Sequence, residues 1–352
     1  MNKKLPMYKL IKEFILERIN SGELKPDDRI PSEKELMETF HVSRITVRRA
    51  LEELAIEGYV YKIQGIGAFV RKPVVSSPGD KLVGVLITPI SDYLSMGILK
   101  GVESYLSRLG FHPVVQFCSD NIDDETSKLH LLVQMGVKGF IIMPHESSLV
   151  NEELRVLLNQ KKPVVFVDRT VDGLKSYSVQ SDNRKGAYDM VSHLVDVHEC
   201  KKICFVSWEG LNISSVRDRY MGAMEAAKQY NVNLELMITN RKDLPTLTER
   251  LKNYDAVFAC TDLIAAEILA NLEVGRCKVP EDIKVVAFDD RPFARYIHPP
   301  LTTVKQMPEQ MGEKAAALLL SIMRGENVKI WDHYVPVSPV YRRSCGCTEM
   351  EE

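Results

Sequence analysis

Long apolar runs are missing from this chain. None reaches the roughly 18 residues that a membrane-crossing helix needs. The basic start, Met1 to Pro6, leads into a charged amphipathic pattern rather than an apolar signal core. We therefore expect a cytoplasmic protein with no membrane partner. The seven cysteines fall at 118, 200, 204, 260, 277, 345 and 347. Their number is odd and no Cys-x-x-Cys pair occurs, which argues against a disulfide framework and against a zinc knuckle. His198, Cys200 and Cys204 come nearest to a ligand cluster, but a helix end running into a buried strand accounts for them. Cys345-Gly346-Cys347 reads as a packed tail. Neither a metal nor a cofactor is expected.

What is present suits a soluble globular protein: 45% apolar and 27% charged residues. At 352 residues the chain exceeds one ordinary core and fits a small domain plus a larger one. The net charge of −2 is unevenly spread: residues 1–72 hold 14 Lys/Arg against 11 Asp/Glu, and the remainder 32 against 37. A basic head on an acidic body fits nucleic-acid contact at one end, although a solvated charged face gives the same count.

In the head, Tyr8, Ile11, Ile15 and Ile19 recur at helical spacing, and Ser21-Gly22 closes that helix. Ser32-Glu33-Lys34-Glu35 opens a second helix as a capping box, with Leu36, Met37 and Phe40 inward. After the short turn His41-Val42, Ser43 caps a third helix that buries Val47, Leu51 and Leu54 and stops at Gly58. Two helices joined so tightly form a helix-turn-helix. The third helix carries Arg44, Thr46 and Arg48 outward in its first turn and a half, where such helices enter the major groove. Tyr59 to Val70 reads as two strands around a Gly-x-Gly turn, a hairpin wing able to reach phosphate through Lys62, Gln64 and the glycine backbone.

The string IPSEKELMETFHVSRITVRRALEELAIEGYVYKIQGIGAFV resembles the GntR-type winged-helix domain along its whole length. That resemblance implies DNA contacts from Lys34, Ser43, Arg44, Thr46, Arg48, Arg49, Gln64, Gly65 and Gly67. Ile66 stands where many relatives carry glycine or a polar residue.

Residues 72–80, with two prolines, two serines and a glycine, read as an exposed linker. From Leu82 onward short apolar strands alternate with amphipathic helices. Strands are expected at Leu82–Thr88, Pro113–Phe117, Gly139–Met143, Pro163–Val167, Lys202–Ser207, Glu235–Ile238, Ala256–Cys260 and Ile283–Phe288. Such alternation implies doubly wound parallel sheets, α/β in class, with ligands beyond the C-terminal strand ends. Ser91-Asp92, Asp168-Arg169, Arg219, Thr261-Asp262 and Asp289-Asp290 fall there. Carboxylates and arginines flanking a cleft can grip vicinal hydroxyls; equally, they can cap helices or pair with each other.

Residues 81–347 resemble the sensor domain of LacI-type regulators, which is similar to periplasmic sugar-binding proteins, through strings that include VKGFIIMP, PVVFVDR, VQSDNRKGAYDMVSHL, RDRYMGAMEAA and KVVAFDDRPFARYIHPPLTTVKQ. The resemblance implies a two-lobed sensor, lobe 1 about 81–180 and 307–333, lobe 2 about 181–306 and 334–352. Its effector set becomes Asp92, Leu94, His145, Asp168, Arg169, Arg219, Thr261, Asp289 and Gln306. Asp92-Tyr93-Leu94-Ser95 replaces the Asn-Pro-Phe-Phe of many sugar-binding relatives, leaving Tyr93 or Tyr296 as the aromatic face. A GntR-type head on a LacI-type body resembles the arrangement of the arabinose repressors of Gram-positive bacteria. This implies a homodimer on operator DNA whose effector is a sugar, L-arabinose first among them, with other sugars, sugar phosphates and nucleosides as alternatives. A sugar-acting enzyme using Asp289-Asp290 and an exported binding protein are the rival readings; neither a nucleophile–base motif nor a phosphate loop supports the first.

Overall fold

The computed structural model describes residues 6–56, 58–63, 66–71, 81–88, 93–119, 121–145, 151–208 and 210–348. It divides into two compact units, Met1–Ser77 and Pro78–Glu352. The expected linker 72–80 lies outside the described residues.

The first unit packs α1 (Met7–Asn20), α2 (Glu33–Phe40) and α3 (Arg44–Ile56) against a hairpin of β1 (Val60–Ile63) and β2 (Gly67–Val70). Ile11, Ile15, Leu36, Val47, Leu51, Leu54 and Val60 form its core. The capping box at Ser32 and Glu35 is made in both directions, and His41 ends α2 at φ 50°. That left-handed residue turns the chain sharply enough to set α3 across α2. In the hairpin Val60 pairs with Val70 and Ile63 with Gly67.

The second unit holds two six-stranded sheets. Lobe 1 orders β13 (Asp332–Val335), β7 (Tyr177–Ser181), β6 (Val164–Val167), β5 (Gly139–Ile142), β3 (Leu82–Ile87) and β4 (His112–Phe117). Lobe 2 orders β14 (Ser338–Val340), β12 (Thr302–Lys305), β11 (Lys284–Asp289), β10 (Ala256–Ala259), β8 (Lys202–Ser207) and β9 (Asn233–Ile238). Pairing is parallel except between β12 and β14. Strands such as Phe140-Ile141-Ile142 and Val257-Phe258 are apolar throughout because helices cover both faces of each sheet. Those helices include α4 (Tyr93–Arg108), α5 (Ile122–Gln134) and α6 (Glu152–Asn159) in lobe 1, and α7 (Asn183–Asp196), α8 (Ser214–Tyr230), α9 (Leu244–Leu251) and α10 (Asp262–Val274) in lobe 2. α11 (Pro308–Met323) returns the chain to lobe 1, where it packs on α4.

The chain crosses between lobes three times, after Ser181, after Lys305 and after Val335. The crossings lie side by side: Ser181 Oγ donates to Gln306 Oε1 at 2.6 Å, and Asp182 N donates to Val335 O at 2.9 Å. The expected lobe breaks at 180/181 and 333/334 fall inside β7 and β13. Both strands run on to Ser181 and Val335, which are register partners, before the chain leaves the sheet.

Candidate DNA-binding and effector-binding sites

In the first unit α2, α3 and the hairpin enclose a groove of about 630 Å³, lined by Arg29, Glu33, Lys34, Arg44, Lys62 and Gly67 among others. Four of those six are basic. Glu33 sits between the two arginines read as groove contacts: Arg44 Nε donates to Oε2 at 2.7 Å and Arg48 Nε to Oε1 at 3.2 Å. The Arg44 bond, against some burial, holds the Glu33 carboxyl below its ordinary range. Both arginines remain open to solvent, at 64% and 54% exposure, and Lys34, at 85%, lies 3.9 Å from Glu38. Ser43 starts α3 by accepting from Thr46 N and Val47 N, and its hydroxyl meets that of Thr46 at 3.0 Å.

Arg49 is placed differently. Its guanidinium lies 4.0 Å over the Tyr8 ring and 3.6 Å from Glu53, so it packs α3 on α1. Gly67, at φ 146°, sits against Arg29, whose Nε would lie 2.9 Å from an added Cβ. Arg29 also bridges to Phe69. It is a basic groove residue that sequence reasoning passed over, being isolated in a connection. Gln64 and Gly65 lie outside the described residues.

In the second unit the expected effector residues sit at strand ends and crossings. Asp289, the last residue of β11, accepts from Gln306 Nε2 at 2.7 Å and from Arg291 Nε at 3.1 Å, and lies 3.4 Å from Arg219 Nη1. Arg219 also donates to Asn183 Oδ1 at 2.9 Å and Cys260 O at 2.7 Å, and covers the Phe288 ring at 4.0 Å. Arg219, Asp289, Gln306, Ser181 and Asn183 are all buried. A continuous polar chain thus runs from α8 through β11 to two of the crossings.

Asp262, beside Thr261, is buried completely. It accepts from Thr303 Oγ1 at 2.5 Å and from Arg291 N at 2.6 Å. Burial first, then the Asp289 charge, pushes its carboxyl up to about 8. Thr261 caps α10, its hydroxyl accepting from Ile264 N at 3.4 Å.

In lobe 1, Asp168 is buried at the end of β6, 3.3 Å from Arg169 Nε. Arg169 Nη1 donates to His145 O at 3.0 Å. His145 is held from behind, since buried Glu125 accepts from its backbone N at 2.7 Å and from Asn151 Nδ2 at 2.9 Å. Leu94 is half-buried on the first turn of α4 and packs against the lobe 1 core. Asp92 lies outside the described residues.

Asp168, Asp289 and Asp290 adopt φ of 64°, 132° and 55°. Non-glycine residues held there cost of order 1–3 kcal/mol each, and such strain gathers at binding sites. Arg342 holds Asp290 at 2.7 Å. Two further groups went unnoticed in the sequence. The Trp208 indole N–H, just past β8, is buried and among the described residues meets no acceptor. At the lobe junction Thr170 N donates to Ser214 Oγ at 2.9 Å and Arg217 pairs with Asp172, each joining lobe 1 to lobe 2. Spacing carries no signal for contacts made over 44 and 45 residues.

Away from these residues, His193, His198, Cys345 and Cys347 come together among the described residues. Cys200 and Cys204, the sulfurs singled out beside His198 in the sequence, are instead buried in the lobe 2 core.

Residues 7–70 match the bacterial regulatory proteins of the gntR family, and residues 191–345 match the periplasmic binding protein-like domain family. The chain is 31% identical over 348 residues to an arabinose metabolism transcriptional repressor of Geobacillus stearothermophilus, covering 94% of this chain and 95% of that one. To the protein of the same description from Halalkalibacterium halodurans it is 28% identical over 91% of this chain and 90% of the other. Among solved structures, the transcription regulator CcpA of Lactococcus lactis superposes with a TM-score of 0.68 at 25% identity, over 75% of this chain and 99% of that one. No helix among the described residues is long and apolar enough to cross a membrane. The chain belongs to the family of arabinose metabolism transcriptional repressors, with a GntR-type winged-helix head on a LacI-type, periplasmic-binding-protein-like sensor, and is a regulator of transcription rather than an enzyme.

Proposed function

We propose that this chain represses genes of pentose use in the cytoplasm and leaves its operator when L-arabinose fills the cleft between its lobes. The observation that carries the effector site is the buried chain Arg219–Asp289–Gln306–Ser181. It joins the end of β11 to two lobe crossings, and two strained carboxylates, Asp168 and Asp289, flank the cleft. Asp168, Arg169 and His145 from one lobe and Arg219, Thr261, Asp289 and Gln306 from the other supply acceptors and donors for a ring of hydroxyls. A buried partner left unpaired costs about 1–3 kcal/mol, which discriminates between epimers.

Tyr93 supplies the apolar face of the sugar in this reading. Burial, and then the charge of Asp290, hold its hydroxyl above the ordinary phenol range. Tyr296 is 80% exposed and takes no part. Two chains joined through their sensors set two heads on adjacent half-sites, with Arg44, Thr46 and Arg48 at the bases and Lys34 and the wing on phosphate. Sugar binding shifts the lobes only by its differential affinity for their two arrangements.

The test has two arms on the full chain. L-arabinose at 100 times its Kd is expected to raise stability by about 2.7 kcal/mol. The same sugar is expected to weaken operator binding in a fluorescence-anisotropy titration. Stabilisation by another pentose, a sugar phosphate or a nucleoside, with none from L-arabinose, would overturn the effector; unchanged operator affinity in the presence of a stabilising sugar would overturn the mechanism.

A further inference from the structure

The four residues gathered at the far end of α7 make a set that no cleft function uses. His193 lies on the last turn of α7 and His198 just beyond its end, while Cys345 and Cys347 come from the tail. One ligand atom from each lies within 4.8 Å of all the others. The two imidazoles approach through Nε2 at 3.2 Å. Cys347 Sγ lies 3.5 Å from both of those nitrogens, and Cys345 Sγ lies 3.8 Å from His193 Nε2.

These spacings can be set against metal geometry. Zinc binds imidazole nitrogen at about 2.0–2.1 Å and thiolate sulfur at about 2.3 Å; a tetrahedron with those edges separates nitrogens by about 3.3 Å and nitrogen from sulfur by about 3.6 Å. The observed separations fall on those values to within a few tenths of an ångström. A hydrogen bond between neutral imidazoles accounts for the approach of the two nitrogens by itself; it does not require two sulfurs to close the figure at 3.5–3.8 Å.

The backbone is also shaped for it. Cys345 ends a short 3-10 turn, and Gly346 follows at φ 100°, which places both flanking sulfurs on the same side. Only glycine takes that conformation readily. The surroundings hold the donors in place: the His193 ring stacks on Tyr341 at 3.9 Å, and the Thr302 hydroxyl lies 3.0 Å from Cys345 Sγ. Ser344 Oγ donates to Val285 O at 2.6 Å and accepts from Thr302 N at 2.8 Å, tying the tail to β11 and β12.

We propose that His193, His198, Cys345 and Cys347 hold one zinc ion, which fastens the tail of the second lobe to the end of α7. Two imidazoles and two thiolates in a tetrahedron are the donor set that selects zinc over hard cations. All four positions are protein ligands, so the ion has no open place for a substrate and its role is structural. Through the tail it steadies Arg342 on Asp290, the neighbour of Asp289.

The test uses the full chain, purified reduced, stripped with a chelator and reloaded with zinc alone or with cobalt(II) as the optical probe. One zinc per chain, an intense tetrahedral cobalt spectrum with a thiolate charge-transfer band, and a zinc-dependent rise in Tm are expected. Cys347→Ser and His198→Asn should each weaken zinc by about 100-fold or more and abolish or distort the charge-transfer band, while Cys277→Ser should leave both unchanged. Cobalt binding to the wild-type chain needs no variant to fold. A wild-type chain without a tetrahedral cobalt spectrum overturns the proposal, as does full zinc affinity in Cys347→Ser or a Cys345–Cys347 disulfide in the freshly isolated protein.

Discussion

Arg217 of lobe 2 and Asp172 of lobe 1 face each other as a two-pronged pair, Nη2 to Oδ1 at 2.7 Å and Nη1 to Oδ2 at 3.0 Å. With Thr170 and Ser214 beside it, the pair latches the lobes together. The side chains are 33% and 51% exposed, so the latch contributes less than about 1 kcal/mol and is screened by salt. Asp172→Asn is expected to weaken effector binding less than about fivefold, chiefly by faster release. A double-mutant cycle with Arg217→Gln should show coupling; additive effects on Kd would remove the latch.

Arg219 is a different case because its partner is buried. Arg219→Ala takes one guanidinium from Asp289 and keeps that of Arg291, so the cost stays below the about 3–5 kcal/mol of a buried charge left uncompensated. The expected result is a lower Tm and no response to sugar. Arg219→Ala combined with Asp289→Asn should recover part of the stability and none of the sugar response. Recovery of sugar binding in the double variant would show that neither residue grips the ligand.

On DNA, Arg44→Ala and Arg48→Ala are each expected to cost about 1–3 kcal/mol of operator affinity and to relax base preference. Lys34→Ala should weaken all sequences alike and lower the slope of log K against log salt by about 1. Arg49→Ala should lower the melting point of the head, through the lost Tyr8 contact, more than it alters base preference. Binding titrations at several salt concentrations separate these outcomes. A large loss of specificity in Arg49→Ala would return that residue to the bases.

The raised Asp262 carboxyl gives a pH signature. Its folded value, about 8, lies above that of the unfolded chain, so the folded state binds the extra proton and stability falls as pH rises between the two. Asp262→Asn keeps the shape of the protonated acid and does not titrate. Its stability relative to wild type should therefore climb from about pH 4 to pH 8 and level off above. Parallel denaturation curves for the two proteins across that range would mean that the carboxyl stays ionised.

The apolar strands were legible because parallel sheets covered on both faces demand unbroken runs such as Val83 to Ile87. β7 and β12 escaped notice. Their sequences, Tyr-Ser-Val-Gln-Ser and Thr-Thr-Val-Lys, carry polar side chains that serve the crossings: Ser181 binds Gln306, and Thr303 binds Asp262. Strand ends pointed to Asp168, Arg219 and Asp289, and family resemblance added Gln306. Arg291, two residues beyond Asp289, was passed over, and nothing in the spacing pointed to Asn183, which accepts from Arg219 across 36 residues, or to Glu125, which holds His145 across 20. The four-ligand cluster was hidden for the same reason, since His193 and Cys347 stand 154 residues apart.

Three peptide links placed side by side constrain how the sensor can move. A single tether would let one half swivel freely on the other. Here 181–183, 305–308 and 335–338 are stitched to each other, so twisting about the long axis is resisted and bending across the row is the soft mode. The hinge lies where Ser181 and Gln306 meet the carboxylate chain, so a ligand held by Asp289 acts close to the pivot. There a small local adjustment turns into a large displacement at the outer ends of the lobes.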